Sequence, residues 1–130
     1  MENVSNEPSP VNWMRWFDPR KREMGTLAFI LNRITALGLT FYLFLHLIVL
    51  SALARGPEAY DGFLNTIRSP LFIFGEFLVV AAGLIHGLNG LRIALNSFGV
   101  GVPYQKQLFI ALMVIAILGS IIFGVRMFTA

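Results

Sequence analysis

With 130 residues, 56% of them hydrophobic, and a mean hydropathy of +0.71, the chain has the size of one domain and is too apolar for a soluble one. The absence of cysteine excludes disulfides, iron–sulfur ligation by this chain and thiol catalysis. Its formal charge of +3 comes mainly from Arg15, Arg20, Lys21 and Arg22, ahead of the first apolar stretch, and is a topology signal rather than a nucleic-acid patch.

Residues 1–25 are expected to form a cytoplasmic N-terminal segment. Met1–Pro10 reads as a disordered lead-in, and Val11–Phe17 mixes aromatic and basic residues that suit the headgroup layer. No apolar run follows an initial basic region, so the N-terminus is expected to be retained rather than cleaved as a signal peptide. Asp18-Pro19 breaks any helix. Residues 26–130 then read as a three-span membrane anchor, with spans over about 26–53, 70–95 and 107–127, each long enough to cross about 30 Å of hydrocarbon.

Between the first two spans, Tyr60, Phe63, Leu64 and Ile67 form an i, i+3, i+4, i+7 stripe, which predicts a short helix lying on the membrane surface. Ser69-Pro70 predicts an N-cap followed by proline at the first helical position. Asn96 to Gln107, with Gly99, Gly101 and Pro103, is a turn region. Outside the hydrocarbon, Arg15, Arg20, Lys21, Arg22 and Lys106 lie on one side against Arg55, Arg68 and Arg126 on the other, which favours a cytoplasmic N-terminus. The fold class is therefore an all-α integral membrane protein, three transmembrane helices plus an N-terminal interfacial segment, part of a multi-subunit bundle.

Ionisable groups inside spans are costly and mark function, so attention falls on Arg33, His46, Glu76, His86 and Arg92. Each histidine is either a structural residue bonded to a neighbouring helix or an axial ligand to haem iron. Gly83, Gly87 and Gly90 clear the surface around His86, as a flat macrocycle requires, although transmembrane glycines also serve plain helix contact. Arg92 lies six residues, about 9 Å, beyond His86, where it can meet a propionate or snorkel to the interface. His46 is flanked by leucines, with Tyr42 one turn and Thr35 three turns earlier. If Arg33 and Arg92 mark one interface, the histidines differ in depth by about 10 Å, too far to grip one iron. Glu76 lies near the outer face, either as a proton-relaying acid or as a carboxyl in the second turn of its helix that reaches water or is favoured by the positive helix end.

Two segments, Phe29–Ala36 and His86-x3-Gly90-x-Arg92 with Phe98-Gly99 after it, resemble the cytochrome b membrane-anchor subunits of succinate dehydrogenases and fumarate reductases. Phe29-Ile30-Leu31-Asn32-Arg33-Ile34-Thr35-Ala36 is similar to that family's Ser-x-x-His-Arg-x-Ser/Thr-Gly segment, with Phe29, Asn32 and Ala36 departing from it. His86-x3-Gly90-x-Arg92, followed by Phe98-Gly99, resembles its haem-ligand segment. The resemblance covers about residues 26 to 126. It implies His86 as axial ligand of the haem nearer the cytoplasm, His46 as ligand of a second, distal haem, and Arg33, Asn32 and Thr35 as quinone contacts. It further implies one or two haems b shared with a second membrane-anchor subunit, docking of an iron–sulfur subunit and a flavoprotein subunit, and a bacterial cytoplasmic (inner) membrane location. Electrons would pass from succinate to quinone through a complex in which this chain has no stand-alone catalysis. A haem-free structural anchor and a small transporter subunit are the alternatives.

Overall fold

The computed structural model describes residues 23–130; the expected lead-in and interfacial stretch over residues 1–22 lie outside them. Helix α1 spans Met24–Ser51 and continues through a 3-10 turn, Ala52–Arg55. Helix α2 spans Pro57–Ile67, α3 spans Pro70–Ser97, and α4 spans Gln105–Thr129 after a 3-10 turn at Val102–Tyr104. Among the described residues, three helices are long and apolar enough to cross a membrane, and the fold is the expected all-α integral membrane arrangement.

The local chemistry explains the ends. The short α2 keeps Tyr60, Phe63, Leu64 and Ile67 half-buried while the rest of it is exposed, as its stripe requires. Ser69 occupies the N-cap of α3, with Pro70 first in the helix, but its side chain makes no cap hydrogen bond. The Ser69 backbone carbonyl instead accepts from the N–H groups of Phe72 and Ile73. Helix α3 ends in a Schellman motif: Gly99 takes φ +78°, its N–H donates to the Asn96 carbonyl, and the Val100 N–H donates to the Leu95 carbonyl at 2.9 Å. A residue with Cβ is strained in that left-handed conformation, so glycine closes the helix.

Helix α3 is central, with α1 packed on one side, α4 on the other, and little direct contact between those two. The α4 seam consists of Phe109, Ala116, Ser120 and Gly124, all buried. Gly124 is required by close approach, because a Cβ there would stand 2.8 Å from the Phe77 ring. Small residues let membrane helices approach in this way. Gly124→Val is expected to cost about 1–3 kcal/mol through overpacking, measured as a lower thermal midpoint of the detergent-purified protein.

The α1 seam repeats at alternating intervals of four and three through Ala28, Asn32, Thr35, Leu39, Tyr42, His46 and Val49. Each of these is buried or half-buried except His46, which is exposed. The packing surface of α1 is therefore open at the level of that histidine.

Candidate functional site

His86 enters the α1–α3 contact half-buried, and its Nδ1 lies 3.2 Å from the backbone carbonyl oxygen of Asn32 and 3.3 Å from Thr35 Oγ1. A carbonyl oxygen only accepts, so the Asn32 contact requires the proton on Nδ1. The Thr35 hydroxyl is directed at carbonyl oxygens of its own helix, Leu31 at 2.8 Å and Asn32 at 3.0 Å. His86 Nε2 is left with its lone pair and, among the described residues, no hydrogen-bond partner. A histidine fixed in this tautomer by a backbone carbonyl has the form that metal-ligating histidines take.

Gly83, Gly87 and Gly90 lie on one side of α3 beside His86, and a Cβ added at any of them would meet nothing within 4 Å. Among the described residues, these glycines therefore serve no close helix contact. The surface they clear stays open to a group or helix from outside.

Thr35 and Arg33, two residues apart, stand on opposite sides of α1. Thr35 is buried against His86, whereas Arg33 is exposed, with its guanidinium 4.4 Å above the Phe29 ring. Asn32 lies between them, and its side-chain Oδ1 is buried without a hydrogen-bond partner, an acceptor that calls for a donor.

Arg92 is turned away from the cleared glycine surface. It is 8% exposed, donates from Nε to Asn89 Oδ1 at 3.0 Å, and lies 5.5 Å over the Phe109 ring of α4. Asn89, fully buried, donates from Nδ2 to the Ala28 carbonyl of α1 at 3.0 Å. Asn89 is absent from the residues expected on sequence grounds, although a polar amide inside an apolar span is itself a signal of interhelical bonding. Together Asn89, Arg92, Ala28 and Phe109 tie all three spans.

The helix register corrects the expected depths. Arg33 lies level with His86, between Asn32 and Thr35, while Arg92 is six residues nearer the helix ends, about 9 Å shallower; the two arginines do not mark one interface. His46 lies eleven residues beyond Thr35 and fourteen beyond Asn32, so it sits roughly 16–21 Å from the His86 level. The structure does not bring the two histidines together. His46 stacks on Tyr42, with ring centroids 5.6 Å apart. Glu76 is exposed on α3 two turns before Gly83, on the same face. Among the described residues, no three His, Cys, Asp or Glu side chains converge as a metal-binding group.

The sequence matches the family described as succinate dehydrogenase/fumarate reductase transmembrane subunit over residues 17–125. It is similar to the succinate dehydrogenase 2 membrane subunit SdhC of Mycobacterium tuberculosis, with 32% identity over 79% of each chain. It is also similar to a succinate dehydrogenase hydrophobic membrane anchor subunit of Halobacterium salinarum, with 32% identity over 70% of this chain and 71% of that one.

Proposed function

Because the chain belongs to the succinate dehydrogenase/fumarate reductase transmembrane-subunit family, we propose that this membrane anchor holds haem b through His86 and helps to build a quinone site beside it. The observation that carries this reading is the His86 Nδ1 contact with the Asn32 carbonyl at 3.2 Å, which leaves Nε2 as a free electron-pair donor inside the span.

The residues present fit a haem. A macrocycle needs a ligating nitrogen and cleared surface beside it, and Gly83, Gly87 and Gly90 supply open space. Bound there, haem b would supply one-electron transfer at a potential set by its ligands and surroundings. The chain's own residues set the conditions: the Asn32 carbonyl fixes the imidazole tautomer, Thr35 packs against its Nδ1 edge, and α1 excludes water from that side. His46, open on the packing surface of α1, is the proposed ligand of a distal haem, and its depth supports a separate group from the one at His86.

The quinone site follows from the other side of α1. Arg33 is charged, exposed and level with His86, a position that lipid alone accommodates poorly. Near a quinone carbonyl, its guanidinium would stabilise negative charge as electrons arrive. Asn32 Oδ1, buried and unpaired, would accept from a quinol hydroxyl. Thr35 takes a positioning role through His86, since its hydroxyl is already engaged. Glu76, exposed in the span on the open face of α3, is proposed as a proton relay at the outer side.

These exposed polar groups support burial against further chains. The partners proposed are a second membrane-anchor subunit that supplies the other haem ligands, an iron–sulfur subunit and a flavoprotein subunit, with the N-terminus cytoplasmic in a bacterial inner membrane. Arg92, held by Asn89 and Phe109 on the side away from the glycines, acts as an interhelical tie rather than a propionate partner.

Arg33→Ala is expected to keep the haem b spectrum and lower quinone-linked turnover at least tenfold, the order of one lost charge-stabilising donor. Reduced-minus-oxidised spectra and succinate:quinone assays on the purified complex check both parts. Unchanged turnover would remove Arg33 from the site, and a colourless wild-type complex would favour a haem-free anchor.

A further inference from the structure

Where α1 and α4 begin and α3 ends lies an open cleft of about 520 Å³, lined by Glu23, Met24, Gly25, Arg92, Gln105 and Lys106, with Phe109 behind Arg92. Arg92 is only 8% exposed, and its Nε is bound to Asn89. Among the described residues, its two terminal amino groups have no acceptor, so they face the cleft as unpaired donors of a buried guanidinium.

The beginning of α1 adds to this. Its first intrahelical bond runs from the Leu27 N–H to the Glu23 carbonyl, leaving the N–H groups of Met24 and Gly25 without helical acceptors. No acidic residue occupies the first turn of α1 or α4, and the Glu23 side chain makes no cap hydrogen bond. Among the described residues, two cations, Arg92 and Lys106, thus face one carboxylate, Glu23, and the α1 terminus contributes about half a positive charge more. The balance favours an anion with several acceptor oxygens, for which the planar guanidinium fork is well shaped.

The surroundings identify the source of that anion. Beside Phe109 begins a line of exposed aliphatic side chains on α4, Ile110, Val114, Ile117 and Ile121, spaced by four, three and four residues along one face. A polar, cationic cleft at the end of a span, continued by an aliphatic strip running into the hydrocarbon, has the shape of a headgroup with its chains.

We propose that this cleft is a site for an anionic phospholipid, its phosphodiester held by Arg92, Lys106 and the N–H groups at the start of α1. Lipid binding here is independent of haem and quinone binding, so the two readings fail separately.

The test uses the intact complex, stripped of lipid in detergent and titrated with phosphatidylglycerol or phosphatidylcholine under native mass spectrometry. Preferential binding of phosphatidylglycerol is expected, weakened about fivefold by Lys106→Gln, with phosphatidylcholine unaffected. Lys106 is exposed and makes no hydrogen bond among the described residues, so this variant is expected to retain the wild-type thermal midpoint. Arg92→Lys, which keeps charge but loses the fork, should weaken binding as well. Equal phosphatidylglycerol affinity in the wild type and both variants overturns the proposal. Stabilisation by inorganic phosphate alone equal to that by the lipid also overturns it, as does a cleft closed to lipid by a partner subunit's carboxylate in the assembled complex.

Discussion

Replacing His86 by alanine is expected to abolish the absorbance of one haem b in the purified complex, leaving any second haem in place. The physical basis is the pairing of His86 Nδ1 with the Asn32 carbonyl at 3.2 Å, which reserves Nε2 for a partner that the described residues do not provide. A purely structural histidine would predict something different: a weakened tie between α1 and α3, a lower thermal midpoint, and an unchanged pigment. Pyridine haemochrome stoichiometry separates these outcomes. Because the substitution leaves space beside Gly83, Gly87 and Gly90, added imidazole is expected to restore part of the spectrum. Full haem content in the variant would sink the assignment.

Asn89→Leu should have the largest effect on stability, about 3 kcal/mol or enough to prevent assembly. Single and double replacements differ in cost. Asn89 is 0% exposed and accepts from Arg92 Nε; removing the acceptor leaves a buried charged donor unpaired, which costs more than a hydrogen bond contributes. The Ala28 carbonyl loses its side-chain donor in the same change. Replacing both members, Asn89→Leu with Arg92→Met, removes the polar pair together and is expected to recover most of the stability. Thermal unfolding of the detergent-solubilised single and double variants measures this coupling. A double variant no better than Asn89→Leu would mean that Arg92 is stabilised chiefly by its contact with Phe109.

The same network gives Arg92 two roles on its two sides. Its Nε and ring contacts face inward and hold α1, α3 and α4 together, while its terminal amino groups border the cleft at the helix ends. Lys106→Gln disturbs only the second role, which is why lipid affinity and bundle stability are expected to separate in that variant.

Much of this protein is written in local sequence. Three long apolar runs dictate three spans because lipid leaves an isolated backbone no other way to satisfy its polar groups. Gly99 and Pro70 punctuate those runs through backbone conformation alone, and the α2 stripe marks which of its side chains are half-buried and which are exposed. The presence of His46, His86, Arg33, Glu76 and Arg92 in the spans is legible for the same reason, since charge in lipid is conspicuous. What each side chain faces is not. A helix that is apolar all round has no polar side to point away from its neighbours, so periodicity could not distinguish Arg33 facing outward from Arg92 locked inward. Only packing brought Thr35 and the Asn32 carbonyl to His86, set Arg33 level with that histidine, left His46 open on the α1 seam, and made Asn89 the link between spans. Those pairings join residues far apart in the chain, and their register depends on how closely small residues let the helices approach.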